Sequence, residues 1–104
     1  MLFRSIICLV FALDRDDLLT AKTKQMMWQP AVLNDGTPMR YGFGWRIEMF
    51  EGHKIIGHGG STSGFSASIQ RFPDDKLAVI VLTNIDEQIA TTLARKIALF
   101  YLKL

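Results

Sequence analysis

The segment GHGGSTSGF, residues 57–65, holds the residues best suited to chemistry, and it is called the glycine segment below. The imidazole of His58 can gain or lose a proton near neutral pH, and hydroxyl groups follow at Ser61, Thr62 and Ser63. Glycines carry no Cβ, so a ligand can lie directly against their peptide groups. The segment is therefore compatible with a phosphate loop, a nucleophile elbow, a metal site, one wall of an active site or a plain hairpin.

Three of these sites need residues that the sequence does not supply. A Walker-type phosphate loop needs a lysine after its last glycine, whereas Phe65 follows Gly64 here. A nucleophile elbow needs serine at the centre of G-x-S-x-G, where this chain has Thr62. His53 and His58 are five residues apart, which places them on opposite faces of one strand, and no cysteine or third histidine is positioned to complete a metal site. We therefore predict none of the three, and we expect His53 to be a solvent-facing turn residue.

Two interpretations of the glycine segment remain. A strand that borders a cleft can offer its backbone N–H groups to a carbonyl oxygen, which is what an oxyanion hole requires. His58 beside such groups could contact a substrate carboxylate or transfer a proton. A glycine-rich hairpin with an incidental histidine accounts for the local sequence equally well.

The composition indicates one globular domain without a nucleic-acid-binding surface. The chain has 104 residues, of which 49% are hydrophobic and 21% charged, enough for a single modest core. The net charge of +2 is small, and the basic residues are dispersed rather than clustered. A lone cysteine, Cys8, excludes an internal disulfide. We expect no cofactor.

Residues 1–13 combine a basic start with a short apolar run, as a signal peptide does. The run is too short to span a membrane, and no small-x-small cleavage site follows it. An apolar helix of the fold is therefore the favoured interpretation. No other segment is apolar enough to predict a membrane span.

The next residues predict a helix followed by a β-hairpin. Thr20 is a plausible N-cap for a helix over residues 21–29, which Pro30 ends. Residues 39–50 are rich in aromatic and β-branched side chains, and Glu51-Gly52 reads as a hairpin turn into a strand over 53–58.

The remainder predicts two more strands and a C-terminal helix. Residues 65–71 alternate as a half-buried strand does, and the unbroken apolar run 77–82 is typical of a central strand covered on both faces. Asp86 could cap a helix over 87–104, whose apolar face would comprise Ile89, Leu93, Ile97, Phe100, Tyr101 and Leu104. We therefore predict an α+β fold: an antiparallel meander sheet of three to four strands, with N-terminal helices and a C-terminal helix packed on it.

Four segments occur in an ordered series: YGFGW at 41–45, the glycine segment, FPD at 72–74 and LAVIVLTN at 77–84. This series resembles the C-terminal part of the serine β-lactamase and penicillin-binding-protein-like hydrolases, closest to their class C-like or esterase-like branch. The resemblance covers about residue 12 to the end. It implies that residues 1–104 are a C-terminal fragment of such a hydrolase domain, in which residues 1–11 could be the edge of a truncated or frameshifted reading frame.

The resemblance implies a role for each polar residue of the glycine segment. The third active-site motif of that family is K-T-G or, in many esterase-like members, H-x-G, and His58-Gly59-Gly60 matches the second form. The backbone N–H of Ser61 would then be an oxyanion-hole donor, and His58 would present a polar catalytic group. The residues that would contact a small acyl substrate are Gly59, Gly60, Thr62 and Ser63.

The chain departs from that family where the nucleophile should be. The family acylates a serine in S-x-x-K, assisted by Y-x-N or S-x-N. No serine here has a lysine three residues later, and Tyr41 and Tyr101 are followed two residues on by Phe43 and Lys103 instead of asparagine. The resemblance therefore implies a serine hydrolase, while the missing motifs predict that this chain is inactive alone.

Two further functions stay open at this point. The chain could be an interaction module that pairs with a complementary N-terminal part of the hydrolase, or with itself, through an exposed apolar patch. It could instead bind acyl amides or carboxylates without catalysis. Full-length relatives of this type commonly act in the periplasm or outside the cell, which concerns the parent enzyme only.

Overall fold

The computed structural model describes residues 2–85 and 89–102. Within these residues a four-stranded antiparallel sheet has the order β1-β2-β3-β4, so each strand pairs with its neighbour in sequence. The helices and strands are α1 (Leu2–Asp14), α2 (Ala21–Met27), β1 (Arg46–Phe50), β2 (His53–Thr62), β3 (Phe65–Phe72), β4 (Leu77–Thr83) and α3 (Ala90–Leu102), with a short 3-10 turn over Pro73–Asp75. The predicted α+β meander with helices before and after the sheet is confirmed.

The N-terminal helices are tied together by one buried lysine. Lys24 of α2 is 6% exposed, and its ammonium donates to the carbonyl oxygens of Leu13 and Arg15 at 2.9 and 2.6 Å and lies 2.8 Å from a carboxylate oxygen of Asp16. The last carbonyls of a helix lack partners within the helix and carry partial negative charge. Lys24 satisfies those at the end of α1, which explains why a charged side chain is buried here. None of the helices in the described part of the chain is long and apolar enough to cross a bilayer.

Two of the three turns that connect the strands, β1 to β2 and β2 to β3, lie where the sequence places glycine. Glu51 and Gly52 have φ of 51° and 80°, a left-handed pair whose twist suits a two-residue β-hairpin. Gly64 has φ of 81° in the turn between β2 and β3. The predicted Glu51-Gly52 turn is confirmed, and β2 is longer than expected because it continues through the glycine segment to Thr62.

Helix α3 packs on one face of the sheet through alanines. The buried core groups Ile55, Phe72, Val79 and Val81 of the sheet with a stripe of small residues on α3 at spacings of four: Ala90, Ala94 and Ala98. The prediction that the large apolar residues of this helix face the core is therefore wrong for the largest of them. Phe100 is 84% and Tyr101 70% exposed, although Ile97 does pack against the core. Small side chains let the helix backbone approach the sheet closely, and that closeness turns the bulky residues outward. The predicted cap Asp86 and the apolar position Leu104 lie outside the described residues.

Strand β4 is an edge strand, which corrects the prediction of a central strand covered on both faces. Val79 and Val81 are buried beneath α3, whereas Leu82 is 47% exposed. A continuous apolar run shows that a strand is apolar on both faces, but it does not show how many strands flank it.

Candidate active site

The glycine segment extends past the end of the neighbouring strand. β1 pairs with β2 as far as Arg46↔Gly57, and β2 then continues to Thr62 alongside β3. Residues 58–62 therefore have β3 on one side and lie beyond the end of β1 on the other. This geometry creates a strand edge at the position where the sequence predicted contact with a substrate.

The strand register fixes the direction of the Ser61 peptide group. The turn Ser63-Gly64 closes on the pair Thr62↔Phe65, and the closing pair of a two-residue hairpin is hydrogen-bonded across the strands. The next pair, Ser61↔Ser66, is then a non-hydrogen-bonded pair. The N–H of Ser61 is consequently directed away from β3, toward the side on which β1 has ended.

The two faces of β2 have different surroundings. Alternation along the strand places His58, Gly60 and Thr62 on one face and Gly59 and Ser61 on the other. The Gly59 face is the one that α3 covers, because a Cβ on Gly59 would lie 2.5 Å from Thr91 Oγ1 of that helix. The imidazole of His58 is therefore on the face opposite α3.

The face that carries His58 is open at Gly60. A Cβ added to Gly60 would have no heavy atom within 4 Å, apart from its own chain neighbours. Ser61, Thr62 and Ser63 are all exposed. A ligand can therefore approach β2 at Gly60, whereas Gly59 serves the packing of α3 and does not provide access. The structure brings the predicted residues onto one strand and its turn, but it divides them between two faces.

An apolar cavity of about 210 Å³ adjoins His58 on this face. Its floor is formed by Gly60 and by side chains of β3 and β4, and its far side by α1. The apolar residues that line it are Ile6, Leu9, Ala67, Ile69, Ile80 and Leu82. The site therefore combines a polar group with an adjacent apolar surface.

Tyr41 is the residue of this site that sequence reasoning missed. Its hydroxyl lies 3.1 Å from Nε2 of His58, and the two rings meet edge to face at 6.2 Å between centroids. The backbone of Tyr41 is held by an isolated bridge to Arg46 and by the N–H of Ala31, which donates to its carbonyl oxygen at 2.8 Å. YGFGW contributed to the family resemblance, but a contact across 17 residues has no local sequence signal.

The loop carrying Tyr41 is positioned by a close approach at Gly42. A Cβ there would lie 2.1 Å from the carbonyl oxygen of Met27, and Phe43 donates its N–H to that same oxygen at 3.0 Å. Glycine is therefore required at this position, where α2 ends against the loop. The strand itself begins only at Arg46, because residues 39–45 follow this irregular path over the end of α2.

His53 is not the solvent-facing residue that was predicted. Its side chain is 21% exposed, and Nδ1 lies 2.6 Å from Oδ2 of Asp75. The 3-10 turn Pro73–Asp75 folds back against the start of β2 and brings this carboxylate to the imidazole. Residues 2–85 and 89–102 contain no cluster of three side chains able to hold a metal ion.

Comparisons with known proteins identify relatives among penicillin-binding proteins and D-aminopeptidases. The chain is 34% identical over 77 residues to penicillin-binding protein 4* of Bacillus subtilis, which covers 73% of this chain and 17% of that protein. It is 33% identical over 57 residues to the D-aminopeptidases of Brucella ovis and Brucella canis, which covers 55% of this chain and 11% of each of those proteins. No solved structure gives a significant match.

The chain therefore spans less than a fifth of the length of these curated relatives. The family model described as Beta-lactamase matches residues 3–102, from the start of α1 to the end of α3. The ordered segments, the meander sheet and this match point to the same conclusion: the chain belongs to the beta-lactamase family, whose members include penicillin-binding-protein-like hydrolases.

Proposed function

We propose that this chain supplies the H-x-G strand of a serine acyl hydrolase. His58-Gly59-Gly60 is the motif, the Ser61 N–H is the oxyanion donor, and Gly60, Thr62 and Ser63 contact the substrate. The observation that carries the proposal is the register of β2, which directs the Ser61 N–H toward the side where β1 has ended. A preorganised N–H aimed at a developing oxyanion is a strong contribution to acyl transfer.

The geometry around His58 supports an acyl substrate. Tyr41 holds Nε2 of the imidazole at 3.1 Å, and the apolar cavity beside Gly60 could receive an uncharged acyl group. One of these relatives is named for binding penicillin and others for D-aminopeptidase activity. We therefore propose a substrate with a reactive carbonyl, such as a β-lactam, an ester or a peptide with a D-residue at its amino terminus.

The isolated chain is expected to form no acyl-enzyme, because it has no S-x-x-K nucleophile. The measurement is intact-mass spectrometry after incubation with a fluorescent penicillin and, separately, with a fluorophosphonate. Penicillin-binding protein 4* from Bacillus subtilis is the positive control for the penicillin. A stoichiometric mass increase on this chain would contradict the proposal, and the modified peptide would identify the unexpected nucleophile.

A second candidate function is association with a complementary chain. Helix α1 exposes a row of apolar side chains, with Ile7 48% and Phe11 62% exposed at a spacing of four, and Leu18 beyond it is 75% exposed. Large apolar groups in one row are typical of a surface that another segment covers. The small share of the relatives' length that the chain spans supports an N-terminal part of the same hydrolase as the occupant.

The association is tested by sedimentation of the isolated chain and of a mixture with the preceding part of penicillin-binding protein 4*. We expect a stable heterodimer, and we expect Phe11→Lys to weaken it by at least about tenfold, since a buried phenylalanine contributes roughly 1.5–3 kcal/mol. Phe100→Lys, a matched change on α3, should leave it unchanged. A monomeric chain that does not bind the other part would contradict this function.

A further inference from the structure

The outer edge of β4 has no partner strand among residues 2–85 and 89–102. Neither function above uses this edge, because one depends on β2 and the other on α1. The strand reads LAVIVLT over residues 77–83 and contains no charged residue and no proline, and its ladder with β3 runs without a bulge. Edge strands of soluble proteins usually carry one of these features, which hinder pairing with another chain. β4 therefore lacks the usual protection of an edge.

The opposite edge of the sheet, β1, has the protection that β4 lacks. Its sequence is RIEMF, in which Arg46 and Glu48 are charged. Charged side chains on an edge strand oppose the approach of a further strand. β1 is also shorter, with five residues against the seven of β4. Pairing with another chain is therefore expected at β4 and not at β1.

The strand register determines which peptide groups of β4 point outward. Thr62↔Phe65 is the hydrogen-bonded pair that closes the β2-β3 hairpin, so alternate residues of β3 from Ser66 to Phe72 direct their N–H and C=O groups toward β4. Their partners on β4 are Leu77, Val79, Val81 and Thr83. The three residues between these partners direct their N–H and C=O groups away from β3, and they are Ala78, Ile80 and Leu82.

The sequence of β4 is complementary to itself in the antiparallel direction. When Ile80 is placed opposite Ile80 of a second copy, Val79 lies opposite Val81 and Ala78 lies opposite Leu82. The outward peptide groups then meet as three hydrogen-bonded pairs, which form about six hydrogen bonds. Apolar side chains face apolar side chains across most of the pairing, and no like charges oppose each other within residues 77–83.

We propose that two copies of this chain pair through the outer edges of β4, about a two-fold axis beside Ile80. The two four-stranded sheets join into one, with both α3 helices on the same face. A seven-residue strand is about 23 Å long and a sheet with its side chains about 10 Å thick, so the edge covers roughly 230 Å² per copy. This area is smaller than that of a standard interface, and we therefore expect a reversible dimer with a Kd on the order of 100 µM.

The first test measures association and backbone protection in the unmodified chain. Sedimentation equilibrium should show a dimer that forms between about 0.02 and 1 mM. Over the same range, exchange of the Ile80 and Leu82 amide protons, measured by NMR, should slow at least about threefold, because these groups become hydrogen-bonded only in the dimer. The amides of Val79 and Val81 bond to β3 in both states, so their exchange should not depend on concentration in this way.

The second test uses the symmetry of the pairing. Ile80→Lys places two ammonium groups opposite each other at the axis and should weaken the dimer at least about tenfold, and Ile80→Glu should do the same with two carboxylates. An equimolar mixture of the two variants should associate, because opposite charges then face each other. Met49→Lys is the matched control, since Met49 is 68% exposed on the opposite edge strand β1, and it should leave the dimer unchanged.

Four outcomes would overturn the proposal. The first is an unmodified chain that is monomeric at 1 mM. The second is a dimer in which the exchange of the Ile80 and Leu82 amides does not slow, because it would form through another surface. The third is a mixture of the two Ile80 variants that stays monomeric although each keeps the circular dichroism spectrum of the unmodified chain. The fourth is protection of those amides only after the preceding part of penicillin-binding protein 4* is added, which would assign the edge to a strand of that part.

Discussion

Replacing Ser61 by proline is expected to slow acyl transfer about 100- to 1,000-fold, because it removes the one N–H that we place in the oxyanion hole. The experiment needs a nucleophile, so it uses a chimera of penicillin-binding protein 4* in which the aligned 77-residue region is replaced by this chain's residues. The rate of covalent labelling by a fluorescent penicillin is the readout. Proline is tolerable at Ser61 because the N–H of this residue does not take part in the ladder with β3.

The control is Ser61→Ala in the same chimera, which keeps the N–H and removes only the hydroxyl. We expect the alanine variant to label within about threefold of the unmodified chimera, whereas loss of an oxyanion donor costs much more. Thermal unfolding of both variants distinguishes a lost donor from a lost fold. Equal rates for the proline and alanine variants, both folded, would contradict the role of Ser61 while leaving the family membership intact.

The oxyanion role of the Ser61 N–H stays a prediction from the family resemblance, and the sequence did not predict the register that supports it, because the strand was expected to end at residue 58 and instead continues to Thr62. The Ser63-Gly64 turn sets the register of β2 against β3, and alternation then determines which peptide groups point outward. The open face at Gly60 follows from the same register. The partner of His58 could not be predicted, since Tyr41 reaches it through a loop whose path is set by the close approach of Gly42 to α2.

Sequence periodicity also did not predict which face of α3 packs on the sheet. Large apolar residues recur along this helix at spacings of three and four, and its alanines recur at spacings of four, so the pattern contains two candidate faces. Contact with the sheet determines which of these two faces of α3 is buried. Gly59 lies directly beneath Thr91, and the residues that this close approach buries almost completely are the alanines Ala90, Ala94 and Ala98.

The face of α3 that packs on the sheet can be identified from the free energy of unfolding of two variants, each with one phenylalanine replaced. Phe72 on β3 is 0% exposed and belongs to the core cluster beneath α3, whereas Phe100 on α3 is 84% exposed. Phe72→Ala is expected to lower the free energy of unfolding by about 3–5 kcal/mol, from lost burial and the cavity left behind. Phe100→Ala should change it by less than about 0.5 kcal/mol.

Urea denaturation of the two variants, followed by circular dichroism, measures both changes against the unmodified chain. The substitution is chemically identical at the two sites, so the difference between them isolates burial from side-chain type. If Phe100→Ala is as destabilising as Phe72→Ala, the bulky face of α3 is the one that packs on the sheet. In that case the helix would be rotated and the stripe of Ala90, Ala94 and Ala98 would face solvent.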